Sequence, residues 1–180
     1  APRSGEAEWI EILNLSAETL DLRHVTVHDA TGHRLPVSDG ARLLEPGARL
    51  VIADQWPLGE RWNVPHDSVL VPDRLPSLNN GGDDIVLCGA GGAVLDSAQY
   101  EGSWLGARGI SLERIHADRP SARINWAPCE DPSGATPGGI NSVAPPPFDL
   151  RLSSGDADGA SVVLRVENSG TGQPAAAAVG

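Results

Sequence analysis

The stretch that most constrains the fold of this chain is LNNGGDDIVLCGAGGAVLDSAQY, residues 78–100. The apolar run Ile85–Cys88 leads into the glycine-rich run 89–92, after which Ala93–Leu95 leads back towards Tyr100. Glycine adopts the positive φ angles that a tight reversal needs. An apolar run of this length is too short for a globular helix and is typical of a strand. The stretch therefore predicts a β-hairpin.

The rest of the chain has the same strand-and-turn character, and no long segment shows helical periodicity. The 21 glycines and 15 prolines among 180 residues fit many turns between short strands. Glu8–Leu13 predicts a first strand, and Glu45–Ala48 predicts a type II turn. Leu35–Pro36 is predicted to lie outside any central strand, because proline lacks the N–H that a sheet ladder uses. We therefore predict an all-β fold with the strands arranged as a β-sandwich.

The charge of the chain limits its partners. The net charge is −11, and all 13 basic residues are arginine. Because binding to phosphate backbones depends on basic residues, this balance argues against nucleic acid as the main partner. No apolar run approaches the roughly 18 residues of a membrane span, and no signal-peptide pattern is present. The sequence contains no methionine, so we expect a piece of a longer or processed polypeptide.

Several motifs follow one another in an order known from one family. They are EWIEILN, DLRHVTVHD, LEPGARLVIAD, the hairpin stretch, ISLER, Trp126 and ATPGGIN. In this order they resemble the lamin tail domain, an immunoglobulin-like β-sandwich of nuclear lamins and of many bacterial secreted or surface proteins. The resemblance covers residues 5–142. The family usually has a glycine–tryptophan pair where this chain has His24–Val25, so one core aromatic is missing.

This resemblance implies a function without catalysis. It implies an extracellular or cell-surface module for binding, attachment or spacing within a larger exported protein, with no cofactor. The implied partners are an unknown protein or polysaccharide at the cell surface, or other domains of the same polypeptide, such as a hydrolase. The alternative that the family suggests is a nucleic-acid-binding accessory domain of a secreted nuclease or phosphatase.

A second unit is predicted after the first. Residues 143–147 read as a stiff proline-rich linker. Residues 148–180 contain two alternating apolar patterns, at 148–152 and 162–166, which predict two strands. They resemble the truncated start of a second immunoglobulin-like domain.

Trp56 and Trp62 are candidate ligand-binding residues. They lie in Asp54–Asp84, a long segment rich in proline, and loops of this length are often functional. Tryptophan is enriched among interface hot spots. The alternative is that both rings fold inward and close the open end of the sandwich.

His28 and His33 are weak metal candidates. A four-residue loop between them would place them opposite each other with Cβ atoms about 5 Å apart. Asp29 is nearby, but a third ligand is not assured. The alternative, which we favour, is a pair of solvated hairpin histidines and no metal.

Cys88 and Cys129 could form one disulfide. It would close a loop of roughly 40 residues, worth about 4 kcal/mol in the chain-entropy model. The alternative is that both are buried thiols.

Two groups of charged residues are further candidates. Asp83, Asp84, Asp96 and Glu101 could form a carboxylate cluster, although acids on a sheet edge also serve solubility. The four arginines Arg108, Arg114, Arg119 and Arg123 are interspersed with acids, which favours a salt-bridged surface.

Overall fold

The computed structural model describes residues 6–38, 40–55, 62–146, 150–158 and 161–168. Within these residues the chain is built from short strands joined by turns and by 3₁₀ turns of three residues, and the all-β prediction is confirmed. The strands are β1 Trp9–Leu13, β2 Leu20–Asp21, β3 Thr26–His28, β4 Arg34–Pro36, β5 Leu43–Leu44, β6 Arg49–Ala53, β7 Val69–Leu70, β8 Gly82–Cys88, β9 Val94–Glu101, β10 Leu112–Arg114, β11 Trp126–Pro128, β12 Leu150–Asp158 and β13 Ser161–Asn168. No helix in the described residues is long and apolar enough to cross a membrane.

The chain divides into two units, residues 1–143 and 144–180. The first unit contains a three-stranded sheet in the order β1-β6-β7 and a four-stranded sheet in the order β4-β3-β8-β9. Two smaller ladders, β2-β5 and β10-β11, complete its described strands. In the second unit, β12 and β13 pair antiparallel, with Leu150 opposite Asn168.

The predicted hairpin is present as β8 and β9. The strands pair antiparallel from Gly82 opposite Glu101 to Cys88 opposite Val94. The reversal uses the predicted glycines, since Gly91 and Gly92 have φ angles of 70° and 82°. These are left-handed conformations that side chains disfavour. The glycine run therefore sets the position of the turn.

β6 is the strand around which the core is built. It lies between β1 and β7, and its side chains alternate between two apolar clusters. Leu50 and Ile52 belong to the larger cluster, while Val51 and Ala53 belong to a smaller one. Because both faces of β6 are covered, its last four residues are all buried.

The edges of the two larger sheets are formed by short or irregular strands. β4 and β9 are the outer strands of one sheet, and β7 is an outer strand of the other. Pro36 lies in β4, as the sequence predicts, because an edge strand does not need an N–H on its outer side. β4 and β7 border the groove described below.

Candidate functional site

The histidine register differs from the prediction. His28 pairs with Arg34 across the β3–β4 ladder, so His33 does not lie opposite it. The reason is the side chain of Asp29, whose Oδ1 accepts the N–H groups of Thr31 and His33, both at 2.9 Å. These bonds draw His33 into the loop. His33 Nδ1 lies 3.2 Å from Asp29 Oδ2, and His28 Nε2 lies 2.9 Å from Thr26 Oγ1.

No metal cluster forms around these histidines in the part of the chain that the structure describes. No group of three His, Cys, Asp or Glu side chains there could hold an ion. Burial would raise the pKa of Asp29, but hydrogen bonds from Thr31 and His33 outweigh it and hold that pKa below its ordinary value. Asp29 therefore acts as an ionised loop cap.

The candidate carboxylate cluster separates into individual contacts. Asp83 is buried and accepts the backbone N–H groups of Ala30 and Asn79 at 3.1 and 3.0 Å. Asp96 pairs with Arg114, and Glu101 lies 3.4 Å from the hydroxyl of Ser103. Each of these acids therefore stabilises its own part of the β8–β9 hairpin.

Glu113 is a buried residue whose importance the sequence did not indicate. Its Oε1 accepts the hydroxyl of Thr136 at 2.7 Å, and its Oε2 accepts both the N–H and the hydroxyl of Ser142 at 2.7 Å. We call residues 129–142 the closing segment. Burial would raise the pKa of Glu113, but hydrogen bonds from Thr136 and Ser142 lower it below the ordinary value. An ionised carboxylate thus fixes the closing segment on β10.

Glu11 holds the same segment from β1. Its Oε2 accepts the N–H of Gly138 at 2.6 Å, and its Oε1 lies 3.4 Å from Arg49 Nε. Burial raises the pKa of Glu11 above its ordinary value, while the Gly138 N–H and Arg49 oppose that rise. These two glutamates form the polar anchor of the closing segment.

Cys88 and Cys129 are both buried free thiols in the structure. Cys129 Sγ lies 3.4 Å from the hydroxyl of Ser142, beside Glu113. Burial raises the pKa of the Cys129 thiol, so it is protonated at neutral pH. The closing segment is thus held by hydrogen bonds, and Cys88 and Cys129 do not form the disulfide that the sequence allows.

Trp62 packs against the smaller apolar cluster with Val51, Ala53, Val64 and Val69. It therefore covers one face of the β1-β6-β7 sheet, in agreement with the inward-folded alternative. Trp56 lies outside the described residues.

The late arginines contact tryptophans more than acids. Arg114 pairs with Asp96 at 2.8 Å and lies 5.1 Å from the centroid of Trp126. Arg123 lies 5.1 Å from the centroid of Trp104 and donates to the carbonyl of Trp126 at 2.9 Å. Among the described residues, no carboxylate pairs with the side chain of Arg119 or Arg123. The interspersed Glu113 points inward, so it takes no part in the expected salt-bridged surface.

A groove lies between the edge strand β4 and the loop that follows β7. Residues 33–38 form one wall and residues 70–77 form the other, and the enclosed volume is about 500 Å³. Both walls contribute to the core, since Val37 and Leu75 belong to the larger apolar cluster. Because β3 contributes no lining residue, the groove runs beside the outer edge of β4, with the loop after β7 on its other side.

The charges at this groove are mostly unneutralised arginine. Arg34 and Arg74 line it and are exposed, and no described carboxylate pairs with either guanidinium. Asp73 is the one acid among the described lining residues, and the ring of His33 is bound to Asp29. On a chain with a net charge of −11, these two arginines make the groove a candidate site for an anion.

The sequence contains a repeated tripeptide at this groove, and neither composition nor spacing predicts that its two copies meet. The tripeptide Arg-Leu-Pro occurs at 34–36 and again at 74–76, once in each wall. In both copies the arginine is exposed and the leucine is partly or fully buried. Only the fold brings the two copies together.

These observations define an all-β protein with an arginine-lined groove between a sheet edge and a neighbouring loop. Comparisons with protein-family models, with curated proteins and with solved structures found no match to this chain.

Proposed function

We propose that this chain is a binding and attachment module, without catalysis, of a larger exported protein, and that its groove holds an anionic partner at the cell surface. In this proposal the first unit is an immunoglobulin-like sandwich of the lamin-tail type. The order of the sequence motifs and the all-β architecture support that part of the proposal. The partner is an acidic protein or an anionic polysaccharide.

The observation that carries the proposal is the pair Arg34 and Arg74. Hydrogen bonds to charged groups contribute about 1.5–3 kcal/mol each, more than neutral ones. Arginine is suited to carboxylate and sulfate groups because its planar fork donates two parallel hydrogen bonds. Elsewhere, the arginines Arg23, Arg49 and Arg114 are already engaged by acids. Among the described residues, Arg34 and Arg74 have no such partner, so they are available to a ligand.

Charge reversal tests the proposal. We expect Arg34→Glu and Arg74→Glu each to weaken binding to polyglutamate or to alginate at least tenfold, which corresponds to about 1.4 kcal/mol. Binding would be measured by titration of the purified chain at physiological salt. Arg119→Glu makes the same charge change at an exposed arginine outside the groove. Equal loss in Arg119→Glu would mean that net charge, and not the groove, controls binding.

Nucleic acid is the second candidate partner, and the contacts of Arg123 with Trp104 favour it locally. Stacked aromatic and arginine side chains are typical of single-strand sites. The net charge of −11 opposes it. We expect duplex DNA to bind no better than about 10⁻⁴ M at physiological salt, the weak limit of non-specific binding. A micromolar complex that weakens steeply with salt in an anisotropy titration would support the nucleic-acid alternative instead.

A further inference from the structure

We infer that the groove accepts an extended acidic polypeptide, which pairs as an added strand with the outer edge of β4. This inference rests on the proposed function and names the class of its ligand. It depends on the direction of the β4 backbone, on the composition of the groove and on its charge.

The backbone of β4 offers hydrogen-bonding groups on its outer side. The N–H of Asp29 donates to the carbonyl of His33 at 3.2 Å, and the N–H of Val37 donates to the carbonyl of Val25 at 2.8 Å. Inward-facing residues alternate along an antiparallel pair, so residues 33, 35 and 37 face β3. Arg34 and Pro36 therefore face outward. Arg34 presents an N–H and a carbonyl, and Pro36 presents a carbonyl alone.

The dimensions of the groove fit a short strand. Its β4 wall covers residues 33–38, and six extended residues span roughly 20 Å. The groove is also lined by the partly buried Leu35 and the buried Val37 and Leu75. A peptide that alternates acidic and apolar residues places its apolar side chains on these residues and its carboxylates near Arg34 and Arg74. This is the recognition mode known as β-strand addition.

The lining composition favours a peptide over a sugar. None of the described residues that line this groove is Trp, Tyr or Phe. A saccharide would depend on the arginines alone, without an apolar ring to stack on. A peptide backbone additionally uses the outward groups of Arg34 and Pro36. The two ligand classes therefore differ in which contacts they need, and the experiment separates them on that basis.

The probe is the synthetic heptapeptide acetyl-EVEVEVE-amide, titrated into the ¹⁵N-labelled chain. We expect binding that Arg34→Glu and Arg74→Glu each weaken at least tenfold, while Arg119→Glu leaves it within twofold. We also expect the Arg34 amide to exchange with solvent at least tenfold more slowly in the complex. The peptide acetyl-KVKVKVK-amide is the charge control and should not bind.

Two N-methylated peptides test strand pairing directly. One carries N-methyl groups on its valines and the other on its glutamates. Alternate residues of an added strand face β4, so methylation of one set should abolish binding and methylation of the other should be tolerated. Equal behaviour of the two, with the arginine dependence retained, would overturn strand addition and leave the proposed function standing. Arginine-dependent binding of alginate without any peptide binding would likewise overturn strand addition and leave the proposed function standing. Failure of every anionic probe would remove both proposals.

Discussion

Replacing Glu113 with alanine is expected to lower the free energy of unfolding of the first unit by about 3–5 kcal/mol. The carboxylate is buried and accepts hydrogen bonds from Thr136 and from Ser142, three of them at 2.7 Å. Its removal leaves these donors without a partner inside the protein, and each unsatisfied buried group costs about 1–3 kcal/mol. The closing segment would lose its main attachment to β10.

Urea unfolding followed by tryptophan fluorescence measures this loss. Glu101→Ala is the matched control, because Glu101 is exposed and makes a single hydrogen bond of 3.4 Å. We expect the control to change the unfolding free energy by no more than about 0.5 kcal/mol. A Glu113→Ala variant as stable as the control would contradict the role of Glu113 as an anchor.

The same residue predicts a dependence on pH. The folded-state pKa of Glu113 is lowered from the model-compound value of 4.5. Its stabilising contribution is therefore fully present above the unfolded pKa and is lost as pH falls through the folded pKa. We expect the wild-type chain to lose more stability than Glu113→Gln when both are taken from pH 6 to pH 3. A steeper loss of stability in Glu113→Gln than in the wild type would contradict a lowered pKa of Glu113.

Replacing Ile52 with alanine is the second substitution with a large expected effect. Ile52 is fully buried, with 0 % of its surface exposed, and it lies in the larger apolar cluster on β6. Truncation of a buried isoleucine to alanine removes its contacts and leaves a cavity, at a cost of about 2–5 kcal/mol. Because β6 is buried on both faces, its neighbours have little freedom to fill the space.

The matched control for this prediction is Ile124→Ala. It makes the same chemical change at a side chain that is 88 % exposed. We expect a difference of at least about 2 kcal/mol between the two variants in urea unfolding. Similar stabilities would mean that the cluster around β6 does not form as described.

Features with local causes could be predicted from the sequence. The β8–β9 hairpin depends on an apolar run and an adjacent glycine run, so both its strands and its turn were predictable. The edge position of β4 was predictable from Pro36 for the same reason. The register of His33 was not predicted, because it depends on which backbone groups the Asp29 side chain accepts.

Features that depend on distant contacts could not be predicted. Glu113 lies in a run of mixed charge, and its burial results from Thr136 and Ser142, which are 23 and 29 residues away. The groove requires β4 and the segment 70–77 to meet from different sheets. Neither segment has a hydrophobic periodicity that predicts this contact. The long segment Asp54–Asp84 still supplies a candidate binding residue, as the sequence predicts. That residue is Arg74 and not one of the two tryptophans.

The outer edge of β9 bears on how copies of this protein behave when crowded. An eight-residue strand without proline is a template on which fibrils can grow. Gly102 donates inward to Gly81 at 3.0 Å, so by alternation the N–H of Ser97 points outward. The carboxylate of Asp96 accepts that N–H at 2.9 Å and is itself paired with the guanidinium of Arg114. One acid thus removes a free donor from this edge, which leaves fewer backbone groups with which a neighbouring copy could pair in amyloid-like stacking.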